Sequence, residues 1–287
     1  RGSGVDGLSG MKRIKSLHGI NWFRPLLSFY RKDLRYYLDH REINWIEDPS
    51  NEDTRYTRVK ARSVLKELQV LGVNPMGLVE TSKRMEKAVK VLNDTAVQAG
   101  KKYLKLREWG DIEIDKKLFK AARDETYLRL LAHLIKFISG SIYRPRYQDL
   151  IKFASALSVG SFKARTIGGV IARSLSEDLL VLRREPSVPG FITDIPSKKF
   201  IWDGRWEIIV GTNQLGNSER IGPLGEVGLS QIQKGNSISL PRESLRSLPT
   251  LFYKEKVLAS PILNYGKGLV CRLAYTKCDL INSLIID

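Results

Sequence analysis

Trp45-Ile46-Glu47-Asp48-Pro49-Ser50-Asn51-Glu52-Asp53-Thr54-Arg55-Tyr56-Thr57-Arg58-Val59-Lys60-Ala61-Arg62 sets an acidic turn directly before a basic run with helical spacing. Pro49 fixes one φ angle of the turn, and Ser50 or Asn51 can accept the free N–H groups of a helix start. Asp53, three residues beyond Ser50, completes a capping box. A helix is therefore expected to begin near Glu52 and to end near Leu71-Gly72. At about 3.6 residues per turn, Arg55, Arg58, Arg62 and Lys66 share one face, and Ala61, Val64, Leu65 and Leu68 the opposite one. Such a stripe is ordinarily a solvated face. Here three of its four cations are arginines, whose planar fork suits phosphate, and no acid at helical spacing inside the stripe offsets them. Phosphate binding is the sharper expectation.

Upstream, Arg24-Pro25 forces an extended entry, and Leu26, Phe29 or Tyr30, Leu34 and Leu38 then repeat as a helix does, so Trp22 to Leu38 is read as the approach to a helix. The first residues carry glycine at positions 2, 4, 7 and 10. That is either a loop whose backbone N–H groups can approach a phosphate or simply a flexible end. Downstream, Asn74-Pro75 starts a long helix with Met85, Val89, Leu92 and Ala96 on its buried side. Gly110 to Asp115 alternates as a short extended piece, and Asp124 caps a helix that packs Leu128, Leu131, Leu134 or Ile135 and Ile138. Tyr143-Arg144-Pro145-Arg146 introduces a further helix over Tyr147 to Leu157. Arg144 and Arg146 are open to two readings, loop surface charge or RNA backbone contacts. After Ser158 the texture becomes β-rich. Ala164 to Arg173 and Leu179 to Arg184, with Ser174 to Asp178 between them, are expected to form a hairpin, with Gly168-Gly169 at a bulge or close backbone approach.

The 287 residues suit about two domains. With 42% hydrophobic residues, wholesale disorder is not expected. The formal net charge is +17, and 36 of the 48 basic residues precede residue 187 against 22 of the 31 acidic ones. A one-sided basic field of this kind attracts polyanions, nucleic acid or an anionic membrane surface. No apolar run reaches the length of a membrane span, and no leader pattern opens the chain, so a soluble, cytoplasmic protein with no membrane partner is expected. Cys271 and Cys278 are too few for a disulfide framework or a four-cysteine zinc site, and His18, His40 and His133 lie far from both, so no metal site is expected. Both thiols are expected to be buried or partly buried, and His133 to be a packed histidine.

Motifs for nucleophilic or metal hydrolytic chemistry are absent from the sequence, and Glu47, Asp48, Glu52 and Asp53 are read as turn and capping acids. The segment from Arg24-Pro25-Leu26-Leu27 through Arg31, Leu34 and Tyr37 to Trp45, Glu47-Asp48-Pro49-Ser50-Asn51 and Arg58-x-x-x-Arg62 resembles the tRNA(Ile)-lysidine synthases after their nucleotide-binding core. The likeness continues in Arg1-Gly2-Ser3-Gly4, Gly7-Leu8-x-Gly10-Met11, Tyr143-Arg144-Pro145-Arg146, Arg165-Thr166-x-Gly168-Gly169, Arg183-Arg184-Glu185 and Trp202-Asp203-Gly204-Arg205-Trp206. Val59 departs from it, because the family often has Asn there. Neither the family's Ser-Gly-Gly-x-Asp-Ser loop nor its His-His-x-Asp-Asp motif is present, so the chain is expected to be the carboxy-terminal two thirds of such an enzyme, inactive alone.

The resemblance implies an α+β multidomain fold. Residues 1–45 would be the end, or remnant, of an α/β nucleotide-binding catalytic domain, 46–160 a mainly helical, basic tRNA-binding domain, and 161–287 a β-rich C-terminal domain. It implies an ATP-dependent ligase that adenylates C2 of the wobble cytidine of isoleucine tRNA with a CAU anticodon, after which free lysine displaces AMP. ATP is the co-substrate, with Mg2+ accompanying it. On that reading Arg1 is catalytic and Arg1, Gly2, Ser3 and Gly4 border the nucleotide, while Arg55, Arg58, Arg62, Lys66, Arg144 and Arg146 bind RNA. It leaves room for a homodimer. The alternative is a non-enzymatic RNA-binding fragment or remnant that keeps only the basic region.

Overall fold

The structure is a computed structural model that describes residues 4–17, 20–122, 124–158, 162–193, 198–211, 219–233 and 240–286. It is α+β, with helices and several antiparallel sheets, and it divides into two compact units, residues 1–92 with 286–287, and residues 93–285.

The first unit opens with a single helical turn, α1 (Val5–Leu8), and an antiparallel pair, β1 (Ile14–Leu17) with β2 (Ile20–Phe23), in which Ile14 faces Phe23 and Lys15 faces Trp22. Trp22 and Phe23 are thus strand residues rather than the approach to a helix. Pro25–Ser28 makes a 3-10 turn before α2 (Arg31–Asp39), and Asp33 Oδ2 accepts from the Tyr30 N–H at 3.3 Å to close the start of that helix.

The Pro49 bend is also tighter than its sequence suggests. Asp48 Oδ1 accepts from the Ser50 N–H at 2.8 Å around a 3-10 turn at Pro49–Asn51, and Asp53 Oδ1 accepts from the Arg55 N–H at 2.9 Å. Two successive acid-capped turns occupy the backbone that a helix would need, so α3 (Thr57–Gln69) begins about a turn later than expected. Its inward side is Val59, with Leu65 and Leu68 half-buried, whereas Ala61 and Val64 are exposed. The chain turns back at Val73, whose N–H reaches the Leu68 carbonyl at 3.1 Å. Asn74 then caps α4 (Pro75–Tyr103), its Oδ1 accepting from the Gly77 N–H at 2.7 Å, as the Asn-Pro pair indicates. Val89 and Ala96 are buried on this helix, and Met85 and Leu92 half-buried, at the expected spacing.

In the second unit, β3 (Leu104–Leu106), β4 (Ile112–Asp115), β5 (Arg165–Ile167), β6 (Val170–Ser174) and β7 (Leu179–Arg184) form one antiparallel sheet in the order β3-β4-β7-β6-β5. β3 and β4 precede residue 160 and β5 to β7 follow it, so one sheet spans the place where the sequence texture changes. Between β4 and β5 run α5 (Lys117–Ala121), α6 (Asp124–Ser139) and α7 (Tyr147–Ser158). The sheet and these helices share a core that includes Ile112, Ile114, Leu134, Ile135, Leu157 and Leu182. Gly168 (φ 53°) and Gly169 (φ 78°) form the two-residue connection between β5 and β6, where two left-handed residues match the strand twist. The expected pairing across Ser174 to Asp178 is present, because β6 pairs with β7 from Val170 opposite Arg184 to Ser174 opposite Leu180, and residues 165–174 form a further hairpin where a single strand was expected. A Cβ on Gly169 would lie 2.7 Å from Arg184 Nη1, so the expected close approach is present, to a guanidinium.

A second core gathers Trp202, Trp206, Ile208, Leu229, Leu251 and Phe252. It is built by β8 (Lys199–Trp202), β9 (Trp206–Val210), β10 (Glu219–Pro223), α8 (Gly225–Gln233), α9 (Arg242–Leu245), β11 (Pro249–Tyr253), β12 (Lys256–Ser260), β13 (Tyr265–Gly266) and β14 (Leu269–Leu273), in sheets ordered β14-β9-β8 and β10-β11-β12-β13. Last, α10 (Lys277–Ile286) returns Leu280, Ile281 and Leu284 to the first core. His133 is packed there as expected, its Nε2 2.8 Å from the Leu280 carbonyl oxygen. Cys271 is buried, and burial raises its thiol pKa to about 12, but Cys278 is exposed, contrary to expectation, because it falls on the outer side of α10.

Three buried arginines, Arg183, Arg184 and Arg205, are paired with carboxylates in this unit. Asp203 (φ 51°) and Gly204 (φ 65°) make the β8–β9 turn, and the Asp203 carboxylate is buried. Arg184 reaches it with Nη2 at 2.6 Å and Nε at 3.1 Å, and Arg205 with Nη2 at 2.9 Å and Nε at 3.2 Å. Nearby, Asp111 accepts from Ser244 Oγ at 2.5 Å and lies 3.7 Å from Arg183 Nε, while Arg183 Nη1 donates to Glu243 at 2.6 Å. Burial raises the Asp111 pKa against the opposing pull of Arg183.

Candidate nucleic-acid interface

The cations singled out in the sequence are distributed over both units. Arg55 precedes α3 and is committed locally. Its Nη2 and Nε reach Asp53 Oδ2 at 2.7 and 2.9 Å, so an acid just outside the helical spacing offsets the stripe after all. The hydrogen bonds from Arg55 lower the Asp53 pKa. Arg58, Arg62 and Lys66 do lie along α3, exposed to solvent. Arg58 Nη2 donates to Ser50 Oγ at 3.2 Å, and its guanidinium sits over the Tyr56 ring, 4.7 Å from the centroid. Neither Arg62 nor Lys66 forms an ion pair among the described residues.

A second cluster in the same unit forms around Glu47, for which the sequence suggests only a turn acid. Glu47 receives Arg31 Nη2 at 2.8 Å, Trp45 Nε1 at 2.9 Å and Arg35 Nη2, and Arg35 lies 5.9 Å from the Trp45 ring centroid. The Trp45 hydrogen bond, then the charges of Arg35 and Arg31, hold the Glu47 carboxyl below its ordinary range. Asp48 is lowered too, by its hydrogen bonds from Ser50 and by the Arg58 charge. Arg31 and Arg35 stand one turn apart on α2, and that spacing opposite Trp-x-Glu was the available signal. The acids of the bend thus organise arginines and aromatic rings on an exposed surface, the combination used to meet phosphates and bases.

Arg144 and Arg146 belong to the second unit. Arg144 is half-buried and already engaged, and Arg146 is exposed just before α7. Arg1, Gly2 and Ser3 lie outside the described residues. Gly4 is extended (φ −70°, ψ −169°), with open space where a Cβ would be. Among the described residues no group of three or more His, Cys, Asp or Glu side chains could hold a metal, and no helix is long and apolar enough to cross a membrane.

Comparison with known proteins places this surface in context. Residues 1–68 match the PP-loop domain. That span takes in the hairpin, α2, the Glu47 cluster and most of α3. It gives no support to the expectation that the amino-terminal motif is lacking from the protein. The chain is 34% identical over 93% of its length to the tRNA(Ile)-lysidine synthase of Wolbachia pipientis wMel, covering 62% of that protein. It is 28% identical over 99% of its length to the enzyme of the same name from Ruegeria pomeroyi, covering 66%. A similar relative from Anaplasma marginale is 28% identical over 94% of the chain, with 62% covered. The chain therefore spans somewhat under two thirds of the length of these relatives.

Proposed function

We propose that the protein is a tRNA(Ile)-lysidine synthase, which uses ATP to join free lysine to C2 of the wobble cytidine of an isoleucine tRNA with a CAU anticodon. The observation that carries this is the 34% identity to an enzyme of that name across 93% of the chain, together with the PP-loop match at residues 1–68. ATP, with Mg2+, would supply the adenylyl group that activates the carbonyl. Residues Arg1 to Gly4 are assigned to its border by resemblance.

What the described residues can do is bind and orient. Arg58, Arg62 and Lys66 offer three cations along one helix to consecutive phosphates of an RNA backbone, and Arg146 offers another in the second unit. Arg31, Arg35 and Trp45, fixed by Glu47, present guanidinium and indole groups without the entropy loss of ordering them on binding. Arg55 and Arg144, already engaged within the protein, are the weaker members of the assigned set. The work is done in the cytoplasm, where tRNA is found.

The test is transfer of radiolabelled lysine to isoleucine tRNA by the native polypeptide that contains these residues, with ATP and Mg2+ present. ATP-dependent incorporation at the wobble cytidine is expected. Tight tRNA binding without incorporation would instead favour an RNA-binding protein without ligase activity.

A further inference from the structure

The second unit contains a hollow of about 440 Å³ that none of the assigned residues lines. Its chemistry is divided. Leu106, Ile262 and Leu273 supply apolar surface, Tyr275 an aromatic ring, and Arg272 and Lys277 the cations. Tyr275 is 45% exposed yet held edge-on by Phe137, with ring centroids 5.7 Å apart and planes at 66°. Arg272 engages Glu207 through Nε at 2.5 Å, while its side chain remains 68% exposed. Lys277 Nζ uses one of its three donors on the Lys101 carbonyl, at 3.1 Å. That bond also ties the hollow to the end of α4, where Lys101 and Lys102, with Lys105 on β3, add positive charge. Glu108 also lines the hollow; Arg107 is paired with Glu113 at 2.7 Å and Arg272 with Glu207 through Nε alone, so Lys277 and the guanidinium edge of Arg272 carry the positive charge that faces it.

The volume lies in the range of small-ligand sites, roughly 300–1,000 Å³. A lining that combines an aromatic ring, aliphatic side chains and cations suits a flat heteroaromatic group joined to a phosphate. A purely apolar ligand would leave the cations unused, and a simple inorganic anion would leave the ring and the aliphatic side chains unused. We propose that this hollow receives one unpaired nucleotide of an RNA strand, its base against Tyr275 and its phosphate at Arg272 and Lys277. The proposal rests on the reading of the protein as tRNA-binding and adds a contact, in the second unit, that recognises single-stranded rather than helical RNA.

The experiment uses two probes on the intact chain, a fluorescently labelled single-stranded tetraadenylate RNA and an unmodified isoleucine tRNA transcript. The tetranucleotide should bind the wild-type chain. Tyr275→Ala should weaken it by about tenfold, the scale of one base–aromatic stack. Tyr275→Phe should retain affinity, because it keeps the ring, and that also guards against a folding artefact. Arg272→Gln should weaken binding and reduce its salt dependence. Failure of the wild-type chain to bind the tetranucleotide, or equal binding by wild type, Tyr275→Ala and Arg272→Gln, would overturn the proposal. The two readings fail separately: tRNA that binds with no effect of these substitutions removes only the hollow, whereas tRNA that does not bind at all removes the functional reading beneath it.

Discussion

The two units use the same residue, arginine, in opposite ways. In residues 93–285 the guanidinium groups of Arg183, Arg184 and Arg205 are buried among carboxylates and between two hydrophobic cores. In residues 1–92 Val59 and Val89 are the buried apolar side chains among the described residues, whereas Trp22, Phe23, Phe29, Tyr36 and Tyr37 are exposed. Arg58 and Arg62 are exposed with them. A buried guanidinium is part of the fold and costs stability when its partner is lost, while an exposed one is free to exchange water for a ligand's phosphate. The number of arginines therefore says little about binding until burial sorts them.

The largest expected effect lies in the buried set. Asp203→Ala leaves Arg184 and Arg205 facing each other without their shared carboxylate, and should destabilise the second unit by about 3–5 kcal/mol in chemical denaturation. A loss below about 1 kcal/mol would mean that water reaches the pair and that the contrast between the units is overstated.

Next comes pH, where one carboxyl in each unit, Glu47 and Asp111, should respond with opposite sign. Glu47 is held below its ordinary 4.5 in the folded protein, so what it contributes is fully present above 4.5 and is lost as pH falls through the lower folded value. Loss of the Arg31, Arg35 and Trp45 contacts should show as a change in indole fluorescence that Trp45→Phe abolishes. Asp111 is raised above its ordinary 3.8, so its contribution is fully present below 3.8 and is lost as pH rises through the higher folded value. The stability difference between wild type and Asp111→Asn should therefore drift against the wild type as pH rises across that window. Drift the other way would show that Arg183, rather than desolvation, governs this carboxyl.

The smallest effect is again on stability, in the exposed set. Arg62→Ala should change unfolding free energy by no more than about 0.5 kcal/mol, as for a surface side chain without an ion pair. A larger loss would make Arg62 a structural residue like Arg184.

Much of the architecture could be read in advance, and the misses have physical causes. Asn74-Pro75, the apolar spacing of α6 and the alternation at Ile112–Asp115 each act locally, and each appears where its local chemistry puts it. The β1–β2 pair escaped because the apolar residues of β2 do not alternate with polar ones: all four of its residues are exposed. The start of α3 was misplaced because Asp48 and Asp53 can cap either a helix or a tight turn, and here they hold two turns. At the interface, the cations of α3 were legible from spacing, but the pairing of Arg55 with Asp53 and the gathering of three donors on Glu47 depend on how the bend folds back. Buried arginines such as Arg184 look like surface ones in sequence, because only the tertiary fold brings Asp203 to them.

The central claim is that the exposed arginines beyond the Pro49 bend hold RNA phosphates. The measurement that tests it most directly is tRNA affinity as a function of salt for the wild type and for Arg58→Ala combined with Arg62→Ala. The substituted protein should bind more weakly, and its plot of log affinity against log salt should be shallower by about one to two units, at roughly 0.7–0.9 per phosphate contact. A slope identical to that of the wild type would show that these two guanidinium groups touch no phosphate and would contradict the account.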